Sequence, residues 1–157
     1  MSVWRQLERD VSNWLSTFAS TGIQFRNPYQ AILGFPSDGF RSDGMLANDH
    51  ILIAIEVEAG QTHPDTNTGK YWLLNVEYKL YKKTVLFHTY TPDLHSYPWR
   101  KKLSEFYVKK MSSEVPIEYV PMDYRNRTAA DYNATLAETK AKIDERVKQE
   151  FGLANPG

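Results

Sequence analysis

The chain predicts an α/β protein in which a mixed sheet is flanked by helices. Three observations carry this. The run Ile51-Leu52-Ile53-Ala54-Ile55 is apolar and β-branched. Trp4, Leu7, Val11, Trp14, Leu15 and Phe18 recur at helical spacing near the start, and Tyr132, Leu136, Ile143, Val147 and Phe151 do so near the end. Between these helices, strand-like and helix-like segments alternate. No Pro/Gly/Ser-rich linker divides the 157 residues, so a single domain spanning 1–157 is expected.

The elements follow in order. Residues 3–18 read as a helix, with Thr21-Gly22 as its stop. Residues 29–35 read as a strand and Pro36-Ser37-Asp38-Gly39 as a turn. Residues 40–47 and 51–58 read as a hairpin, with Asn48-Asp49-His50 supplying the turn. A helix is expected from Pro64 to about Lys82, apolar on two sides and therefore sandwiched in the core. Residues 84–91 form a strong strand signal. Residues 98–112 read as a helix whose apolar positions are Trp99, Leu103, Phe106, Tyr107 and Met111. Residues 115–124 contain Pro116 and Pro121, which confines them to a sheet edge. Residues 128–151 form a long amphipathic helix closed by Gly152 and Pro156.

The chemistry lies in the hairpin. Side chains alternate across a strand, so Ile51, Ile53, Ile55 and Val57 share one face and Leu52, Ala54, Glu56 and Glu58 share the other. One face is fully apolar; the second turns acidic at its C-terminal end. If Asn48 pairs with Ile51 across a two-residue turn, Asp43 falls opposite Glu56; a slip of one residue would send Asp43 to the other face. In this register three carboxylates converge. Such a group is costly to bury, and Mg²⁺ relieves the cost because it takes oxygen ligands and usually binds one or two carboxylates together with a phosphate. The alternative is that Glu56 and Glu58 are solvated residues at a strand end.

Charge is unevenly spread. Residues 1–69 carry 4 basic and 8 acidic side chains, residues 70–110 carry 9 and 3, and residues 111–157 carry 6 and 8. The basic middle (Lys70, Lys79, Lys82, Lys83, Arg100 to Lys102, Lys109, Lys110) favours an anionic partner. Cysteine is absent, which excludes disulfides, thiolate catalysis and cysteine–zinc sites and fits a cytoplasmic setting. No run approaches the ~20 apolar residues of a membrane span, and the early charges argue against a secretory signal. His50, His63, His88 and His95 lack the mutual spacing of a zinc site, and the phosphate-loop, dinucleotide and G-x-S-x-G motifs are missing. Glu56 and Glu58 project side by side, which suits a shared cation better than the opposed acids of a glycosidase.

Element order and the spacing of Asp43, Glu56 and Glu58, together with Glu56-Val57-Glu58-Ala59-Gly60-Gln61, His63-Pro64 and Lys70-Tyr71-Trp72, make residues 1–91 resemble the PD-(D/E)xK nuclease superfamily. The resemblance implies a restriction endonuclease-like three-layer α/β/α fold with a central mixed sheet. It also implies Mg²⁺- or Mn²⁺-dependent hydrolysis of DNA phosphodiester bonds. Asp43, Glu56 and the Val57 carbonyl would hold the metal, and Glu58 would hold a second ion or act on the water. Glu58 stands where the family usually has lysine, and no proline precedes Asp43. Lys70 from the next helix is the expected replacement charge, with Gln61 assisting; the resemblance also offers Glu8 as an outer metal contact, but a solvated helix face is the preferred reading of that residue. Cutting both strands would call for a homodimer. The other reading is a catalytically inactive nuclease-like fold that binds nucleic acid or a protein.

Overall fold

The computed structural model describes residues 2–20, 22–27, 40–60, 63–95 and 98–152. The strand expected over 29–35, the turn after it, and Gln61 lie outside these residues. Within them, α1 (Leu7–Leu15) is flanked by single 3₁₀ turns at Val3–Gln6 and Ser16–Phe18, and a short strand β1 (Gln24–Arg26) follows. The chain continues through β2 (Gly44–Ala47), β3 (Ile51–Glu58), α2 (Pro64–Leu73), β4 (Lys83–Tyr90), α3 (Pro98–Met111), β5 (Ile117–Asp123) and α4 (Tyr132–Phe151). The sheet order is β1-β2-β3-β4-β5; the first three strands are antiparallel, and β3, β4 and β5 are parallel.

The hairpin has the register read from the turn. Met45 faces Ala54 and Ala47 faces Leu52. The Asn48 side chain fixes this: its Oδ1 accepts the backbone N–H groups of His50 and Ile51 at 2.8 Å each, and the Asn48 N–H donates to the Ile51 carbonyl at 3.1 Å. The two faces of β3 also separate as alternation requires. Ile53, Ile55 and Val57 pack with Leu7, Val11 and Leu15 of α1 and Ile143 and Val147 of α4. Leu52 and Ala54 pack with Tyr71 in α2 and Leu74 just after it, and with Val108 and Met111 of α3. Helices thus cover both faces of a mixed sheet. No helix among the described residues is long and apolar enough to cross a membrane.

Three expectations need correction. The helix starting at Pro64 does not reach Lys82: α2 loosens into a π-helical turn at Leu74–Tyr78 and stops at Lys79, whose φ is 49°. Asn75 accompanies the change, its Nδ2 donating to the Tyr71 carbonyl at 2.7 Å and its Oδ1 accepting from Thr84 Oγ1 at 3.2 Å. Nor is this helix sandwiched, since Tyr71 and Leu74 are buried while Leu73 is 49% exposed. On α3 the buried positions are Ser104, Val108 and Met111, whereas Trp99 and Phe106 stand in solvent. β5 lies at the sheet edge, as its prolines require.

Gly44 permits the close approach of α1 to β2 beside the acidic end. A Cβ there would lie 2.8 Å from Leu15 Cδ1, and Leu15 is fully buried. Gly44→Ala is therefore expected to destabilise the protein by about 1–3 kcal/mol through overpacking, measured as a lower midpoint in urea unfolding at unchanged slope.

Candidate functional site

The acids sit where β3 ends and α2 begins. Asp43, just before β2, is tied to β3 by its own carboxylate: Oδ2 accepts the Val57 N–H at 2.7 Å. Glu56 and Glu58 follow on the face covered by α2 and α3, and both are buried (1% and 0% exposed). The solvated-strand-end alternative is thereby excluded for both.

α2 meets these acids with one helical stripe. Asn67, Lys70, Tyr71 and Leu74 are spaced i, i+3, i+4, i+7. Lys70 Nζ lies 2.6 Å from Glu56 Oε1 and donates to the Arg41 carbonyl at 2.7 Å. The Tyr71 hydroxyl is 2.5 Å from the same Glu56 oxygen and 3.0 Å from Ser42 Oγ. Ser42 in turn reaches the Gly44 and Ile55 carbonyls at 2.8 and 3.2 Å, which locks the start of β2 to β3.

Glu58 takes a different set of partners. Its Oε1 lies 2.6 Å from His88 Nε2 and accepts from Asn67 Nδ2 at 2.8 Å. His88 Nδ1 faces the hydroxyls of Tyr119 at 2.8 Å and Tyr90 at 3.0 Å, which are themselves 2.8 Å apart. Nε2 is placed to donate to Glu58, and Nδ1 meets the paired tyrosine hydroxyls. Burial holds the Tyr90 phenol up at about 12, and Tyr119 is pushed up further by burial and by Tyr90, so both remain donors. Glu58 Oε2 is buried without a hydrogen-bond partner.

The three acids predicted to converge are therefore divided: Asp43 and Glu56 gather with Lys70, and Glu58 pairs with His88. Among the described residues, no three His, Asp or Glu side chains close into one metal-ligand set. His63 has no part in these contacts. Glu8 on α1 does belong here electrostatically, contrary to its reading as a solvated helix face. Burial, then repulsion from Asp43, lifts its carboxyl to about 7. Burial likewise raises Asp43, with Glu58 adding to the shift while the Val57 N–H, Lys70 and His88 oppose it. Glu56 is pushed up to about 8, by burial first and by Asp43; Lys70 opposes this without overcoming it. Glu8 also lines a cleft of about 450 Å³ with Ser12, Asn13, Phe25 and Asn27, between α1 and β1.

Sequence reasoning missed Ser42, Asn67, Tyr90 and Tyr119. Asn67 was accessible through its i, i+3, i+4 relation to Lys70 and Tyr71. The tyrosines were not, because their approach depends on the parallel register that sets Glu56 beside His88 and Glu58 beside Tyr90. Comparison with family models, with curated proteins and with solved structures returned no match. The functional reading therefore rests on the site's own geometry.

Proposed function

We propose that the protein is a metal-dependent nuclease that hydrolyses DNA phosphodiester bonds at the Asp43–Glu56 site. The observation that carries this reading is a cluster of buried carboxyl groups with too few positive partners. Burial holds Glu8, Asp43 and Glu56 above their ordinary range, Asp43 adds repulsion at Glu8 and Glu56, Glu58 adds it at Asp43, and the Lys70 ammonium at 2.6 Å does not bring Glu56 back. Hard carboxylate oxygens that remain under-compensated are the donor chemistry Mg²⁺ or Mn²⁺ takes, and one or two of them suffice when a phosphate completes the shell. Asp43, Glu56 and the Val57 carbonyl are the groups that would hold the ion. When bound, such an ion lowers the pKa of a bound water and offsets charge on the phosphate.

The chain's own residues have distinct tasks. The Val57 N–H fixes the Asp43 carboxylate, and Tyr71 fixes that of Glu56. Lys70, anchored on the Arg41 carbonyl, supplies a positive charge to neutralise the developing phosphoryl charge. Glu58, held by His88 and Asn67, keeps Oε2 uncommitted for water or a second ion. Cleavage of both DNA strands would require two such sites and hence a homodimer.

One observation favours the second reading, an inactive fold used for binding: Glu58 Oε1 is committed to His88 and Asn67, and Glu56 Oε1 to Lys70 and Tyr71. The discriminating experiment incubates plasmid, linear duplex and single-stranded DNA with Mg²⁺ or Mn²⁺, using wild type beside Glu56→Ala. Wild type is expected to cut, and the variant to be slower by roughly 10²–10³-fold or more, the scale of losing one preorganised electrostatic group. Equal behaviour of the two proteins ends the nuclease reading in favour of a binding module.

A further inference from the structure

α3 carries a surface that the acid site does not explain. Its buried side is narrow: Ser104, Val108 and Met111 face the sheet. Trp99, Lys102, Phe106 and Lys109 are all exposed and follow one another at spacings of three, four and three residues, with exposed Lys110 alongside. These spacings place them on one helical stripe. Trp99 and Phe106 are 51% and 52% exposed. Two half-exposed aromatic rings are interleaved with ammonium groups, and neither ring joins the buried core.

The rings are oriented by cations. Arg100 lies over the Trp99 ring at 4.4 Å and Lys110 over that of Phe106 at 5.7 Å. The seven-position separation of the rings corresponds to roughly 10 Å along the helix. The stripe also begins at the acid end. Arg100 Nη1 pairs at 3.1 Å with Asp65 in the first turn of α2, two residues before the Asn67 that donates to Glu58. Lys101 lies over the ring of Tyr90, which pairs with Glu58 in the sheet.

We propose that this stripe of α3 binds single-stranded DNA, with bases stacking on Trp99 and Phe106 and phosphates meeting Lys102, Lys109 and Lys110, and that it leads the strand toward the acid site. Aromatic platforms set in a positive track are the combination that holds single strands without reading sequence. A base in a duplex hides its π-face and cannot use the rings. A membrane surface asks for a continuous apolar face, and here each ring is followed by a lysine. DNA is favoured over RNA because the stripe offers no acceptor to a 2′-hydroxyl; its neighbouring carboxylate, Glu105, is engaged by Lys101. The fate of the strand rests on the nuclease reading, whereas its binding does not.

The test is anisotropy of labelled oligo-dT with the full chain in EDTA, where nothing is cut. Oligo-rU, a mixed-sequence duplex and phosphatidylserine vesicles serve as competitors. Oligo-dT is expected to bind tightest. Trp99→Ala and Phe106→Ala are each expected to weaken it about tenfold, and Lys102→Gln to reduce the salt slope by about 0.7. Because these side chains are exposed, thermal melts of the variants should match wild type. Unchanged oligo-dT affinity in both ring variants overturns the proposal, as does preference for the duplex, the vesicles or oligo-rU. Glu56→Ala separates the two readings: it should keep oligo-dT binding. Binding as described without cutting by wild type removes the nuclease reading alone; cutting with indifferent ring variants removes this one alone.

Discussion

Glu56→Gln is expected to raise the stability of the metal-free protein at pH 8.5 and to leave it nearly unchanged at pH 5. The Glu56 carboxyl sits at about 8 when folded, against an ordinary value of 4.5. Between these values the folded protein retains a proton that the unfolded chain releases, so stability falls as pH rises through this window. The loss is complete above about 8. At pH 5 the carboxyl is protonated in the fold, and glutamine is a close isostere. At pH 8.5 the wild type must bury a carboxylate beside Asp43, and glutamine removes that cost. Lys70 loses a partner in the variant but keeps the Arg41 carbonyl at 2.7 Å. The net gain at pH 8.5 should be on the order of 1–3 kcal/mol, seen as a rise in Tm of several degrees by calorimetry in EDTA. Glu8, at about 7, contributes to the same decline in both proteins. Added Mg²⁺ should flatten the wild-type decline and leave that of the variant in place, because cation and proton compete for the same carboxylate.

His88→Ala is expected to destabilise the protein by about 3–5 kcal/mol, since it leaves the buried Glu58 carboxylate without its main partner. His88 and Glu58 are both 0% exposed, and the imidazole also joins Glu58 to the Tyr90 and Tyr119 hydroxyls. Tm should drop by roughly 10 °C or more. The coupling is specific. In the double variant Glu58→Gln/His88→Gln the two losses should fall short of additivity by about 0.5–3 kcal/mol, measured by urea unfolding of the full cycle. Additive losses would mean that the pair is merely two packed side chains.

What could be read from the chain tracks how local the determining interactions are. The β2–β3 register follows from the Asn48 side chain and the alternation of residues 51–58, all within one hairpin, and the structure has that register. The pairing of Asp43 with β3 follows from it. The division of the acids does not. Glu58 meets His88 only because β4 lies parallel to β3 across the α2 connection, and that alignment is decided by packing between distant segments. α2 shows the same limit: its apolar residues outnumber the positions the sheet can cover, so periodicity alone could not tell buried Tyr71 from exposed Leu73. On α3, apolar composition alone does not show that Trp99 and Phe106 stay half-exposed while Ser104, Val108 and Met111 are buried. β1 has three residues, too short for its alternation to register.

The central claim, that the Asp43–Glu56 pair holds a divalent cation, is tested most directly by isothermal titration of Mn²⁺ into wild type, Asp43→Asn and Glu56→Gln at pH 8. Wild type should bind with micromolar-to-millimolar affinity and release protons, and both variants should lose that binding. Absence of binding by wild type, or equal binding by all three proteins, would contradict it.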